Sequence, residues 1–308
     1  MSPAEERSGF VIKFWGVRGS VPVPGPDTAE FGGNTSCTEV RVGDTLIVVD
    51  AGTGIRSLGN SLIRHGQPVR AHLLITHTHW DHLCGFPFFS PMYDPRTRLW
   101  LHGRGHFGST LEEIVSNQMK YSYFPVRASL LPASIQYDEV DRDSFTVDSV
   151  TVRAMNTNHP VLSLAYRLSD SGKSVVFTGD HEPFYDFVTD GHEHTTQMFG
   201  EDEVAETVEE QNRHVVEFAS GADLIVADAQ YTPEEYQYKK GWGHMTYEQA
   251  VQLAVEAEAK QLAITHHDPE RTDSQMQEIE ARAREYASKV SSHPLTVFAA
   301  RENMEVAL

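Results

Sequence analysis

An α+β fold is predicted for this sequence, with two facing mixed sheets and helices outside them, and two observations predict it. The chain of 308 residues runs from β/α units through a β-rich middle and back to β/α units, an order that suits two sheets packed face to face. Its early β/α stretch also sends His77-Thr78-His79-Trp80-Asp81-His82 straight off the apolar run Ala71 to Thr76. A strand end therefore presents several metal-binding side chains at once.

The elements follow in order. Phe10 to Trp15 has the length and β-branched content of a first strand. Gly16 to Ser36 is punctuated by Gly and Pro and is too long for a mere connection, which marks a functional loop expected at the mouth of a site. Cys37 to Val42 and Thr45 to Val49 form a hairpin around Gly43-Asp44. Asp50-Ala51-Gly52-Thr53-Gly54 ends that strand and opens a helix over Ile55 to Arg64, where Ile55, Leu58, Leu62 and Ile63 share a face. Gly85 to Phe89 is apolar and is expected to pack under the site. Arg98 to Gly103 reads as a strand and Thr110 to Met119 as a short helix. The middle runs, Ile135 to Val140, Ser144 to Val147, Val150 to Met155, Leu162 to Leu168 and Ser174 to Thr178, are expected to form a mainly antiparallel sheet. Helices Val204 to Ala219, Thr246 to Ala257 and Ser274 to Lys289 then enclose strands Leu224 to Ala227 and Gln261 to Thr265. His181 to Asn212, acidic and rich in His and aromatics, is expected as an insertion forming a lid or oligomer contact, with an ordinary solvated excursion as the alternative. One domain over residues 1–308 is favoured, and residue spacing reveals no internal repeat.

Composition bounds the function. No apolar run approaches the roughly 20 residues of a membrane span, and no basic start with an apolar segment opens the chain, so a cytoplasmic protein without membrane association is expected. Cys37 and Cys84 are the only cysteines; no C-x-x-C occurs, disulfides are not expected, and Cys84 reads as a packing residue. A net charge of −19 counts against a partner held through many phosphates, while a small anion is tolerated where metals supply the positive field. The expected partner is accordingly a small-molecule nucleotide, with no stable nucleic-acid partner, and a homodimer is expected.

Beyond Ile75 an extended backbone would send alternate residues to one side, so His77 and His79 can grip one ion. Asp81 and His82 are adjacent, point differently, and can reach a second. Imidazole and carboxylate donors suit zinc, and also manganese or iron where oxygen ligands are plentiful. In a chain with 16 His a pair of histidines carries little weight, but the full H-x-H-x-D-H string resembles the signature of the metallo-β-lactamase-fold hydrolases. Three later segments match in order: His159 in Asn156-Thr157-Asn158-His159-Pro160, Asp180 in Phe177-Thr178-Gly179-Asp180, and His266 in Ala263-Ile264-Thr265-His266-His267. With them the chain is similar, from about Phe10 to about Asp273, to the phosphodiesterase branch that includes tRNase Z.

The resemblance implies a four-layer αββα sandwich and two divalent ions, zinc foremost. His77, His79 and His159 would hold one ion, Asp81, His82 and His266 the other, and Asp180 would span both, so that a shared hydroxide attacks phosphorus. His267 is a rival to His266 that would otherwise lie in the cleft; His181 should turn away; Asp50 should brace the ligand loop. Gly243-His244-Met245-Thr246 and Val226-Ala227-Asp228-Ala229 resemble the tRNase Z pair in which a histidine steadied by an acid faces the substrate phosphate and protonates the leaving oxygen. His244, Asp228 and the ligand Asp81 are thus the catalytic candidates. Gly33-Asn34-Thr35-Ser36 is similar to a family loop, which makes Asn34 and Thr35, with His244 and Thr246, the expected substrate contacts. Lys239, Lys240 and Trp242 could reach a phosphate or a base, or be merely solvated.

The function implied is hydrolysis of a small phosphodiester by a two-metal phosphodiesterase, with a 3′,5′-cyclic nucleotide the favoured substrate. The alternatives are a tRNA 3′-processing endonuclease, whose usual basic arm is not visible between His82 and His159, a cyclic-ribose phosphate phosphodiesterase, and a metal-free scaffold, which seven filled ligand positions disfavour.

Overall fold

The computed structural model describes residues 9–64, 66–185 and 201–308. Among the described residues, fourteen strands are divided between two seven-stranded sheets. In the first, β1 (Phe10–Gly16), β2 (Cys37–Val42) and β3 (Thr45–Val49) run antiparallel. Strands β4 (Arg70–Leu74), β5 (Arg98–Gly103) and β6 (Ser134–Glu139) then add in parallel. In the second, β7 (Ser144–Val147), β8 (Val150–Asn156), β9 (Leu164–Asp170) and β10 (Lys173–Phe177) are antiparallel. Strands β11 (Leu224–Asp228), β12 (Gln261–Thr265) and β13 (Thr296–Ala299) extend it in parallel. Finally β14 (Glu305–Ala307) returns to pair with β1. Each sheet is therefore four antiparallel strands followed by three parallel ones, a repeat of topology that residue spacing does not carry.

The sheets need two apolar faces each, and β3 supplies them by alternation: Ile47 and Val49 face the other sheet, Leu46 and Val48 the outer layer. Between the sheets lie Phe10, Ile12, Phe14 and Val40 against Val152, Tyr166, Val175, Phe177 and Val226. Burying each such side chain stabilises the fold by about 1.5–3 kcal/mol relative to leaving it exposed. Tyr166 Oη also donates to the carbonyl of Ile75 at 3.0 Å, tying the second sheet to the ligand loop of the first.

Outside the first sheet pack α1 (Ile55–Ile63) and α3 (Leu111–Gln118), separated in sequence by the single turn α2 (Trp80–Leu83). Outside the second pack α4 (Glu201–Ala219), α6 (Tyr247–Glu256) and α7 (Asp273–Val290), with the short α5 (Pro233–Tyr236) between α4 and α6. Capping boxes set four helix starts, at Thr110, Thr232, Thr246 and Thr272. The four-layer αββα arrangement is thus as expected.

Several local expectations change. The run Ile135 to Val140 does not join an antiparallel middle; it lies parallel to β5 at the edge of the first sheet. Strands β13 and β14 and helix α5 were not foreseen. Gly85 to Phe89 buries Phe86 and Phe89 in the outer cluster with α1 and exposes Phe88, so it packs beside that helix and not under the site. Of the expected insertion 181–212, residues 186–200 lie outside the described residues, and 201–212 form the first part of α4.

Candidate metal centre

The chain leaves β4 at Leu74 and is turned at Thr76, whose backbone N–H and Oγ1 both donate to Asp50 Oδ1, at 2.8 and 3.0 Å. His77 and His79 sit on this extended segment, and His79 caps α2, so Asp81 and His82 fall on the first helical turn and face elsewhere. The second sheet adds His159 from the β8–β9 loop, Asp180 after β10, and His266 after β12. One group brings together donor atoms of His77, His79, His159 and Asp180, the other those of Asp81, His82, Asp180 and His266, all within 4.8 Å of one another in each group. Asp180 belongs to both: its Oδ2 lies 3.4 Å from His77 Nε2, His82 Nε2 and His266 Nε2, and 4.0 Å from His159 Nε2.

Hydrogen bonds on the far side of each ring decide which nitrogen faces inward. Carbonyl and carboxylate oxygens can only accept, so the Nδ1–H of His82 donates to Asp50 at 2.8 Å, that of His159 to the Gly243 carbonyl at 3.0 Å, and that of His266 to Gln230 Oε1 at 3.0 Å. The inward nitrogen of each is Nε2, which offers its lone pair to a cation when the ring is neutral. His77 Nε2 is fully buried and has no hydrogen-bond partner among the described residues. A buried nitrogen without a partner is costly, and a cation in this donor set removes that cost, so the residues fit a pair of divalent ions.

Charge follows the same division. Burial drives His77 and His79 below the usual imidazole range and His159 down to about 4, which leaves these three neutral, the form that ligates. His266, although buried, is pushed up to about 9 by Asp180 and Asp81, and His82 rises for the same reason with Asp50 added. Asp81 is also buried, yet His82 and His266 hold its carboxyl well below the usual range.

His266 and not His267 enters the centre. At φ +57° the His266 backbone turns its ring to within 3.1 Å of Asp81, whereas His267 donates to the Ala300 carbonyl at 2.9 Å and packs edge-on to Phe31, buried and away from the cleft. His181 also turns away, accepting from the Asn158 amide. Beside the centre, His244 Nδ1–H donates to Asp228 Oδ2 at 2.9 Å, and its ring stacks on His266 with centroids 4.8 Å apart.

Three expected substrate contacts are corrected to bracing. Thr246 Oγ1 accepts the Gln249 amide as the cap of α6 and is buried. Thr35 is fully buried and exchanges hydrogen bonds with Thr53. Asn34 donates its backbone N–H and its side-chain amide to Glu302. The loop that carries Asn34 and Thr35 does reach the centre, but through Ser20, whose N–H donates to Asp81 Oδ2 at 2.7 Å.

Sequence reasoning missed Glu182. Buried at 1 % exposure, its carboxylate accepts from the amides of Gly241 and Gly243 at 2.9 Å and from Tyr236 Oη at 2.6 Å. This pins the loop whose Gly243 carbonyl orients His159. Gly243 has φ +86°, and a Cβ there would stand 2.2 Å from His159 Nδ1, so only glycine fits. The one available signal was an acid two residues after Asp180.

Residues 45–204 match the family described as the beta-lactamase superfamily domain. The chain is 26 % identical over 280 residues to the Ribonuclease Z of Haloferax volcanii, covering 82 % of this chain and 83 % of that protein. To the Ribonuclease Z of Haloarcula marismortui it is 24 % identical over 282 residues, covering 83 % and 85 %. Among solved structures it shares its fold with the metallo-beta-lactamase fold protein YhfI from Bacillus subtilis, with a TM-score of 0.67 and 18 % identity over 98 % of this chain and 100 % of that one. The short form of human tRNase Z gives a TM-score of 0.60 and 18 % identity over 96 % and 98 %. These relatives overturn the expectation of a small-molecule nucleotide and no nucleic-acid partner: sequence likeness over most of the chain is to ribonucleases. The physical reason the charge argument failed is that −19 sums the whole surface, whereas recognition depends on the local field. Exposed acids such as Glu209, Glu210, Glu217, Glu278 and Glu285 lie on α4 and α7, in the outer layer.

Proposed function

The chain belongs to the beta-lactamase superfamily, and as a metal-dependent phosphodiester hydrolase of the tRNase Z-like branch we propose that it cleaves RNA, as a tRNA 3′-processing endonuclease of the ribonuclease Z kind. The observation that carries this reading is the buried double donor set centred on Asp180 with the Asp228–His244 pair beside it. Zinc is the proposed metal, because nitrogen donors outnumber carboxylates, five to two, in the two groups.

In this reading His77, His79 and His159 hold one ion, Asp81, His82 and His266 the other, and Asp180 both. Bound there, two divalent ions supply positive charge for the phosphate oxygens and lower the pKa of water, the chemistry a phosphodiester needs. The chain's own groups do the rest. Asp228 occupies His244 Nδ1, so Nε2 is the nitrogen that meets the phosphate and hands a proton to the departing ribose oxygen. Asp228 is itself fixed at both ends: its amide donates to Thr178 Oγ1 at 3.1 Å, and its Oδ1 accepts from the Gln230 amide at 3.2 Å. Asp50, Gln230 and the Gly243 carbonyl hold the three ligand rings in one tautomer.

The test is a hydrolysis panel with metal-loaded protein: a tRNA precursor carrying a 3′ trailer, a cyclic mononucleotide, and an activated aryl phosphodiester. Cleavage of the precursor near the trailer junction, far faster than opening of the cyclic nucleotide, is expected. Intact precursor alongside rapid cyclic-nucleotide hydrolysis would overturn the reading.

A further inference from the structure

Two exposed indoles stand next in the chain to residues that build the centre. In the first ligand group the side chains of His77, His159 and Asp180 are almost wholly buried while His79 is half-buried, and beside them the His244 side chain is 11 % exposed, so the centre is reached past His79 and His244. Trp80 directly follows His79. Trp242 directly precedes Gly243, whose carbonyl accepts from His159 at 3.0 Å. Trp80 is 76 % and Trp242 56 % exposed. The other two tryptophans are used in packing: Trp15 is 9 % exposed and donates Nε1–H to Glu39, and Trp100 stacks on His72 with centroids 4.6 Å apart.

We propose that Trp80 and Trp242 are the walls of a base-stacking cleft that seats unpaired nucleotides on either side of the scissile phosphate. The proposal rests on the RNA reading above and deepens it. Nucleobases of any identity have a π-face, and indole is the best side chain to receive one, so two indoles flanking a phosphate site suit a single-stranded end. Lys239 Nζ lies 4.0 Å from the Trp242 ring centroid, with no carboxylate at ion-pair distance among the described residues. That cation both polarises the stack and stands where an adjoining phosphate would pass. Both rings ride on fixed backbone: Trp80 opens α2, where its carbonyl accepts from the Cys84 amide at 2.6 Å, and the Trp242 loop is pinned by Glu182. Little ordering is therefore needed when a strand enters.

The experiment is a cycle between protein and ligand. Wild type, Trp80→Ala, Trp242→Ala and the corresponding Phe variants, each loaded with zinc to equal content, are given a short single-stranded oligoribonucleotide and its counterpart with abasic residues flanking the scissile bond. KM and kcat are measured for each combination, and binding by fluorescence anisotropy. Each Ala variant should raise KM for the base-bearing RNA roughly 5- to 150-fold, the range of one lost base stack, with kcat little changed and most of the loss restored by Phe. On the abasic RNA the same Ala variants should cost nothing further, because their partner is gone. An equal loss on both RNAs, or an unchanged KM, would sink the stacking cleft. Should the wild type cleave neither short RNA, the precursor assay alone judges the assigned function, and the anisotropy cycle decides the cleft: a base-dependent affinity lost with either tryptophan upholds it, and an affinity indifferent to bases overturns it.

Discussion

Each ligating imidazole has two nitrogens, and at His82, His159 and His266 the outer one is spoken for by Asp50, Gly243 and Gln230. The same logic governs His244, whose outer nitrogen meets Asp228, and it yields a prediction. His244→Ala should leave metal content unchanged while slowing RNA cleavage on the order of 100- to 10,000-fold, the range for lost general acid catalysis. A nitrophenolate departs without a proton, so hydrolysis of an activated aryl diester should fall much less. Equal losses on both substrates, measured at equal metal content, would reduce His244 to a binding or structural group. At this scale the sequence was readable where residues are contiguous, as in His77 to His82. His159, Asp180 and His266 were reached only by their order along a family pattern, because their meeting depends on two sheets closing. Glu182 was missed because its role is to hold backbone amides, and nothing in an acidic side chain's neighbours along the chain announces that.

Elements were legible where periodicity is local. The hairpin β2–β3 came out with its boundaries intact, since Gly43, at φ +56°, marks the turn. Strand β6 was assigned to the wrong sheet, because parallel pairing with β5 is a long-range choice that alternation does not encode. Strands β13 and β14 have four and three residues, too few to show a period. Thr246 illustrates a residue whose element explains it: replacing it by Ala should cost about 1 kcal/mol, as a lost N-cap does, while kcat/KM of the folded protein stays near the wild-type value. A large fall in kcat/KM without loss of thermal stability would restore it to the substrate.

The β4–β5 pair carries its own acid sensitivity. Burial, helped by nearby His102, lowers His72 to about 4, against about 6.5 for a free imidazole. The unfolded chain thus takes up a proton that the folded one refuses, so this contribution is complete above about pH 6.5 and is lost as pH falls toward 4. In chelator-treated protein, His72→Gln should show a smaller drop in urea-unfolding stability between pH 7 and pH 5 than the wild type. An identical drop would place the acid sensitivity elsewhere.

Across the whole molecule the decisive error was to let one number stand for a surface. A net charge of −19 sums the whole surface and does not fix the field at any one place on it. The proposed ligands, in contrast, unite the molecule: His77, His79, Asp81 and His82 come from the first sheet, and His159, Asp180 and His266 from the second. Each divalent ion bound only by the folded state should therefore add about 2.7 kcal/mol when present at 100 times its dissociation constant. Chelation should lower the melting temperature, and zinc should restore it. An unchanged melting temperature with measured metal loss would mean that the two halves hold together without the ions.

The split of the ligands between sheets also orders events during synthesis. His266 directly follows β12, far along the chain from the His77 to His82 string. A nascent or truncated chain that has displayed the whole His77 to His82 string still lacks the last donor, and Asp81 and His82 wait for a partner that emerges late. The two donor groups thus come together only once the second sheet has been made and has closed on the first, so a copy in which that sheet is unfinished carries an incomplete site.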